Sequence, residues 1–246
     1  MSSHLLRVGT SGFSYSDWRD VFYPPSIKSN EMFGFYCQHF NTLELNVTYY
    51  KIPALKMFER LAAQCPDDFD IVVKVPGQTT HVRDALPGKL TSLIENSKPL
   101  NDSGHLAGFL AQFPYSFHNE QKNRSYLAAL AEQLRDFSIY VEFRHDSWDR
   151  PAVQQFLHSI NLGYVNVDEP PLKGLLPCQD WVTSANGYVR FHGRNKDGWW
   201  TGQGSERYRY EYELDELKTW LSRLKGLEAR AGKTYLFFNN HLRGGA

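Results

Sequence analysis

Residues 142–148 read EFRHDSW, so a carboxylate, a guanidinium and an imidazole follow directly on the apolar run 138–141. A strand that starts apolar and ends in Glu142, Arg144 and His145 is delivering charge to one end of a sheet. The same pattern recurs along the chain. Glu44 and Asn46 interrupt the run 42–47, Lys74 sits in VVKV, Gln112 in LAQF, Asn166 and Asp168 in VNVD, and Arg190 and His192 in VRFH. Arg144, Arg190 and Lys74 suit an anion, because a guanidinium offers phosphate or carboxylate a planar fork of donors. Glu44 and Glu142 are candidate general bases, with His192 and His81 as candidate acids, once neighbours set their pKa values. Thr10, Asn46, Gln112, Asp168 and Asn240 complete the candidate contacts as substrate-binding groups. A metal-assisted phosphodiesterase built on Glu142, Asp168, His192 and Glu44 is an alternative, but H-x-H and H-E-x-x-H spacings are absent and nearby cations oppose it. No cofactor is called for by any motif.

These residues must be positioned by something regular. Short apolar runs at 5–9, 42–47, 69–75, 106–113, 138–143, 163–167, 187–191 and 233–238 predict about eight strands. Amphipathic segments at 30–40, 54–63, 125–134, 151–160 and 213–231 predict helices between most of them. Pro151 suits a first helical turn, and Gly163 and Gly232 suit helix stops. Repeated strand–helix alternation implies parallel βαβ units. G-x-G-x-x-G is missing after the first strand, and eight units favour a single (β/α)₈ barrel of the TIM type over residues 1–246. The chain stops soon after the eighth strand, so the last helix is expected to be missing.

Strand side chains alternate between faces. Taking the apolar set as helix-facing turns Glu44, Lys74, Gln112, Glu142, Arg144, Asn166, Asp168, Arg190 and His192 toward the barrel interior, and leaves His145 on the helix side. Buried charges cost several kcal/mol each unless paired, so their convergence at the C-terminal strand ends marks a candidate site. The competing reading is a self-neutralising network, with Glu44 and Glu142 bridging Arg144 and Arg190, that only fills the barrel.

The loop 194–212, RNKDGWWTGQGSERYRYEY, follows His192. It could be a lid with Gly198, Gly202 and Gly204 as points of give, an aromatic cover over the barrel mouth, or a surface on which unstacked bases sit between Arg207 and Arg209. Phe13, Tyr15, Trp18, Phe22 and Tyr23 are candidates for the same rim. The turn at Thr10-Ser11-Gly12 could present backbone N–H groups to an anion.

Bulk properties bound the rest. Net charge is +0 and the pI about 7.1, which argues against a generally basic nucleic-acid coat. Three scattered cysteines suit reduced thiols in a cytoplasmic protein, and neither a signal peptide nor a membrane-spanning run is visible. The expected partners are a small anionic ligand or single-stranded nucleic acid, with no membrane.

The segments GTSGFSYSDWRDVFYPP (9–25), TLELNVTYYKIP (42–53), VVKVPGQTTH (72–81), AQFP (111–114), EFRHDSW (142–148), YVRFHG (188–193) and FFNN (237–240) together resemble the YecE-like family, domain of unknown function 72. The resemblance runs the length of the chain. It implies a (β/α)₈ barrel and no particular activity. Relatives continue past the FNN strand into a last helix, where this chain stops at Ala246.

Overall fold

The computed structural model describes residues 6–83, 87–201 and 206–246. Eight strands follow the apolar runs: β1 (Leu6–Thr10), β2 (Thr42–Leu45), β3 (Asp70–Lys74), β4 (Leu106–Gln112), β5 (Ile139–Glu142), β6 (Leu162–Asp168), β7 (Gly187–Phe191) and β8 (Thr234–Phe238). Leu5, at the start of the first expected strand, lies outside the described residues. The helices are α1 (Met32–Tyr36), α2 (Leu55–Gln64), α3 (Pro87–Asp102), α4 (Gln121–Gln133), α5 (Pro151–Ser159), α6 (Leu214–Lys218) and α7 (Leu221–Glu228). All strand pairs are parallel, in the order β1-β8-β7-β6-β5-β4-β3-β2.

The ring closes between β1 and β2 without a full ladder. A bridge joins Ser11 to Glu44, Gly12 N donates to Glu44 O at 2.8 Å, and Val8 N donates to Asn41 Oδ1 at 2.9 Å. Gly9 permits this seam, since a Cβ there would lie 2.1 Å from the Thr42 carbonyl oxygen. The fold is therefore a near-closed (β/α) barrel with seven helices among the described residues. Past β8 the described chain makes only a short turn at Leu242–Gly244.

Local chemistry sets the helix limits. Pro151 opens α5, where its missing N–H costs nothing. Glu216 Oε2 accepts from Glu213 N at 3.0 Å and secures the start of α6. The single helix expected over 213–231 divides at Thr219 and Trp220, where backbone bonds tighten to i→i−3. There Trp220 turns inward and its Nε1 donates to Asp168 Oδ2 at 2.6 Å. Helix α3, which the apolar periodicity does not announce, fills the β3–β4 crossover.

Packing follows the strand register. Arg7, Tyr140, Tyr188, Arg190, Tyr235 and Phe237 share the inner face, while Val189 and Phe191 face the helices. The rings of Tyr140, Tyr188, Tyr235 and Phe237 pack together across the middle of the barrel, mostly tilted, at centroid separations of 4.7–6.2 Å. Below them Asp70 meets Arg7 Nε at 3.2 Å, Lys233 Nζ at 2.8 Å and Tyr235 Oη at 3.1 Å. The floor of the barrel is thus an ionic cluster beneath the aromatic layer.

Candidate active site

Above the aromatic layer, carboxylates and guanidinium groups interlock. Arg190 Nη1 donates to Glu142 Oε2 at 2.5 Å. Its Nη2 donates to Glu44 Oε1 at 2.7 Å and to Ser11 Oγ at 3.2 Å. Tyr188 Oη donates to Glu44 Oε2 at 2.7 Å. Arg144 Nη2 lies 2.7 Å from Glu142 Oε1 and its Nη1 3.2 Å from Glu169 Oε2. His192 Nε2 stands 3.2 Å from Glu142 Oε1, and Asn239 Nδ2 donates to its Nδ1 at 3.1 Å, which leaves the imidazole proton on Nε2. All of Glu44, Glu142, Arg190 and His192 are buried.

Electrostatics then separate their roles. Burial alone would raise Glu142, but Arg144, Arg190 and His192 hold it well below the usual carboxylate range. His192 is pushed down to about 3 by burial and by Arg144, so it is neutral at ordinary pH. Burial pushes Glu169 up to about 7 against the pull of Arg144.

A cavity of about 660 Å³ opens on top of this network. Its wall includes Lys74, Arg144, Arg190, Arg207, His81, Asn46, Gln112 and Asn239, and no carboxylate from the described residues. Its rim is aromatic: Tyr15, Tyr49, Tyr50, Tyr115, Trp199, Trp200 and Tyr208. Lys74 Nζ donates to Gln112 Oε1 at 3.0 Å and lies 4.7 Å from the Tyr49 ring centroid. Burial and Arg190 push Lys74 down to about 7, against the pull of Glu44 and Glu142. His81 is pushed down to about 4 by burial and by Lys74, Arg83 and Arg144. Asn46 Oδ1 is buried with no hydrogen-bond partner.

The structure therefore brings eight of the twelve candidate residues to one mouth, in two layers. Lys74, His81, Asn46, Gln112, Arg144 and Arg190 reach the cavity, and Glu44 and Glu142 stand behind the two arginines. His192 is placed behind Glu142, not in the cavity wall. Three further candidates are misplaced by the sequence reading. Thr10 faces α1, its N donating to Tyr36 Oη at 2.8 Å, while neighbouring Ser11 turns inward. The N–H groups of Ser11 and Gly12 close the sheet instead of cradling an anion. Asp168 faces outward and is saturated by Arg194, Tyr212 and Trp220. Asn166 shares that face and binds the backbone of Trp181. The helix-free connection 169–186 supplies the partner of Asn166, and Arg194, Tyr212 and Trp220 supply those of Asp168, so in β6 alternation puts Val165 and Val167 inside. Asn240 ties the backbone of Tyr210 and Gly245.

That placement also breaks the metal set. Asp168 is separated from the others, Glu44 and Glu142 are held by guanidinium groups, and His192 is held by Glu142 and Asn239. Among the described residues no group of three or more His, Cys, Asp or Glu is placed to hold an ion. The cysteine thiols are raised by burial, Cys37 and Cys65 to about 12 and Cys178 to about 11, which makes them poor nucleophiles. In the long loop, Trp199 is buried over Arg144, while Gly202 and Gly204 lie outside the described residues. Of the proposed rim in 11–25 only Tyr15 lines the cavity; Trp18 and Tyr23 are core. Tyr188 and Glu169 were missed as parts of the site, and Ser11, expected to act through its backbone N–H, takes part through its hydroxyl. Tyr188 carried a signal, two residues before Arg190 on the same face.

Residues 7–246 match the family described as "Protein of unknown function DUF72". The chain belongs to that family. It is 31% identical over 259 residues to the UPF0759 protein YunF of Bacillus subtilis, covering 98% of this chain and 91% of that one. A DUF72 family crystal structure from Thermotoga maritima superposes with a TM-score of 0.91 at 40% identity, over 99% of this chain and 95% of that chain. One from Enterococcus faecalis gives 0.85 at 27% identity, over 98% and 90%. A xylose isomerase domain containing protein from Salmonella typhimurium, with a TM-score of 0.59 at 10% identity, shares the fold alone. No helix among the described residues is long and apolar enough to cross a membrane.

Proposed function

We propose that this DUF72 barrel binds a small phosphorylated or carboxylated substrate in its C-terminal mouth and turns it over by acid–base chemistry. One observation carries the reading. The cavity wall holds Lys74, Arg144, Arg190 and Arg207, while Glu44, Glu142 and Glu169 are drawn back behind it. The buried carboxylates fix two guanidinium groups in position and leave the hollow cationic. Preorganised cations in a partly dry site favour an anion without reorganisation. The unpaired Asn46 Oδ1 supplies an acceptor for a substrate hydroxyl. His81 and Lys74 are the proton-exchanging groups of this reading, because the paired Glu142 is too weak a base. A cytoplasmic setting fits the three free thiols.

Calorimetric titration with inorganic phosphate tests it. Binding should weaken about tenfold or more in Arg144→Gln, the loss expected when a charge-assisted contact is removed. Unchanged affinity in that variant removes the reading. A second reading rests on Tyr50 and Trp200, which are 85% and 53% exposed at the rim beside Arg207. Such rings can stack bases of a single strand. Affinity for a short single-stranded oligonucleotide, falling steeply with salt, would favour it.

A further inference from the structure

Lys74 stands apart from the two buried arginines of the mouth. Arg144 and Arg190 are each clamped by two carboxylates. Lys74 Nζ has one protein hydrogen bond, to Gln112 Oε1, and no carboxylate within 4 Å among the described residues. That acceptor is fixed, because Gln112 Nε2 donates to Phe113 O at 2.8 Å and so points its oxygen at the amine. The side chain lines the cavity, with its amine over the Tyr49 ring and Arg144 and Arg190 in the same wall. A lysine kept for structure would be given a carboxylate, and both nearby ones, Glu44 and Glu142, are spent on arginine.

We infer that Lys74 is a nucleophilic amine that forms an imine with an aldehyde or ketone group of the anionic substrate. The inference rests on the anion-site reading above and deepens it, by naming a carbonyl-bearing phosphate or carboxylate as the substrate class. Burial and the adjoining arginines hold the amine near pH 7, so a large share is unprotonated at neutral pH. Desolvation beside fixed cations is how an amine becomes a nucleophile at that pH. The Nζ lone pair adds to the carbonyl carbon, and the carbonyl oxygen takes up the proton that nitrogen releases. The resulting hydroxyl leaves as water with one proton from solvent in the open mouth, and a C=N bond forms. The iminium cation produced replaces the lost ammonium charge beside Gln112. Arg144 holds the anionic end, which fixes the carbonyl within reach and explains why the anion and the amine share one hollow.

Pyridoxal 5′-phosphate is a suitable probe, being an aldehyde with a phosphate. The full chain is treated with it, reduced with borohydride, and digested for mass spectrometry, with pyridoxal as the phosphate-free control. Lys74 should be labelled about tenfold or more faster than the surface lysines near pH 7, since an ordinary lysine is almost wholly protonated there. Inorganic phosphate should protect it, pyridoxal should label it more slowly, and Lys74→Arg should remove the adduct while circular dichroism stays unchanged. Labelling of Lys74 no faster than surface lysines overturns the inference, and phosphate binding that persists alongside that result leaves the anion site standing. Fast labelling by both aldehydes without phosphate protection supports the amine and overturns the anion site. Rapid labelling in Lys74→Arg would place the nucleophile elsewhere and overturn the assignment.

Discussion

Arg190 Nη2 donates to Glu44 Oε1 at 2.7 Å, joining residues 146 positions apart on strands that do not adjoin in the ring. The same guanidinium holds Glu142 on a third strand. Arg190 is therefore a strut across the barrel as well as part of the cavity floor. Arg190→Met should destabilise the fold by about 3–5 kcal/mol, because two buried carboxylates lose a partner at once. Arg144→Gln should cost less, since Glu142 keeps Arg190 and Glu169 can take a proton. Urea unfolding of both variants makes the comparison, and equal losses would contradict it.

Lys74 carries the opposite sign. Its folded pKa is lowered to about 7, whereas an unfolded lysine titrates near about 10.4. Between those values the unfolded chain holds more protons, so stability rises with pH across that window. Below it the full penalty of a buried charge is present. Lys74→Met should thus raise the Tm at about pH 6 by several degrees, with the gain shrinking toward about pH 10. Thermal unfolding at the two pH values checks this; a lower Tm in the variant at acidic pH would oppose it.

The two ends of the barrel show how far sequence could see. Parity along β2, β3, β4, β5 and β7 put Glu44, Lys74, Gln112, Glu142 and Arg190 inside, and the register agrees. Parity said nothing of sheet-outer polar partners, and these turn both side chains outward: Trp181 in the connection 169–186 holds Asn166, while Arg194, Tyr212 and Trp220 hold Asp168. Nor did it distinguish floor from mouth. Arg7 and Asp70 are inward charges too, yet they close on Lys233 and Tyr235 below the aromatic layer. What separates a candidate site from a plug is the balance of charge and the opening above it. Both depend on loops such as 194–212, whose placement no periodicity reports. Glu169 illustrates the gap: nothing in V-D-E-P-P says that the second acid, and not the first, meets Arg144.

His192 offers a protonation test of the buried layer. Its folded pKa is lowered to about 3, against about 6.5 for an unfolded histidine. The folded state binds fewer protons between those values, so His192 lowers stability progressively as pH falls through that window. Nitrogen-15 chemical shifts should show the neutral Nε2–H tautomer persisting at about pH 5, while exposed histidines charge. An imidazolium signal for His192 at that pH would mean that burial and Arg144 do not outweigh the pull of Glu142.

The seam between β1 and β2 can be tested without touching the mouth. A Cβ at Gly9 would sit 2.1 Å from Thr42 O and 2.9 Å from Thr42 C, both backbone atoms that cannot swing away. Gly9→Ala should therefore force the two strands apart and cost about 3 kcal/mol or more. Gly34, inside α1, meets nothing within 4 Å of a built Cβ. Gly34→Ala should instead stabilise by about 0.5–1 kcal/mol, because alanine loses less backbone entropy in a helix. Urea titration of the pair separates the causes. If glycine mattered at position 9 only through chain flexibility, both alanines would stabilise; if the seam requires close approach, the two shifts have opposite signs. Because the same seam carries Ser11 and Glu44, Gly9→Ala should also loosen the Arg190 strut and weaken phosphate binding, whereas Gly34→Ala should leave it unchanged.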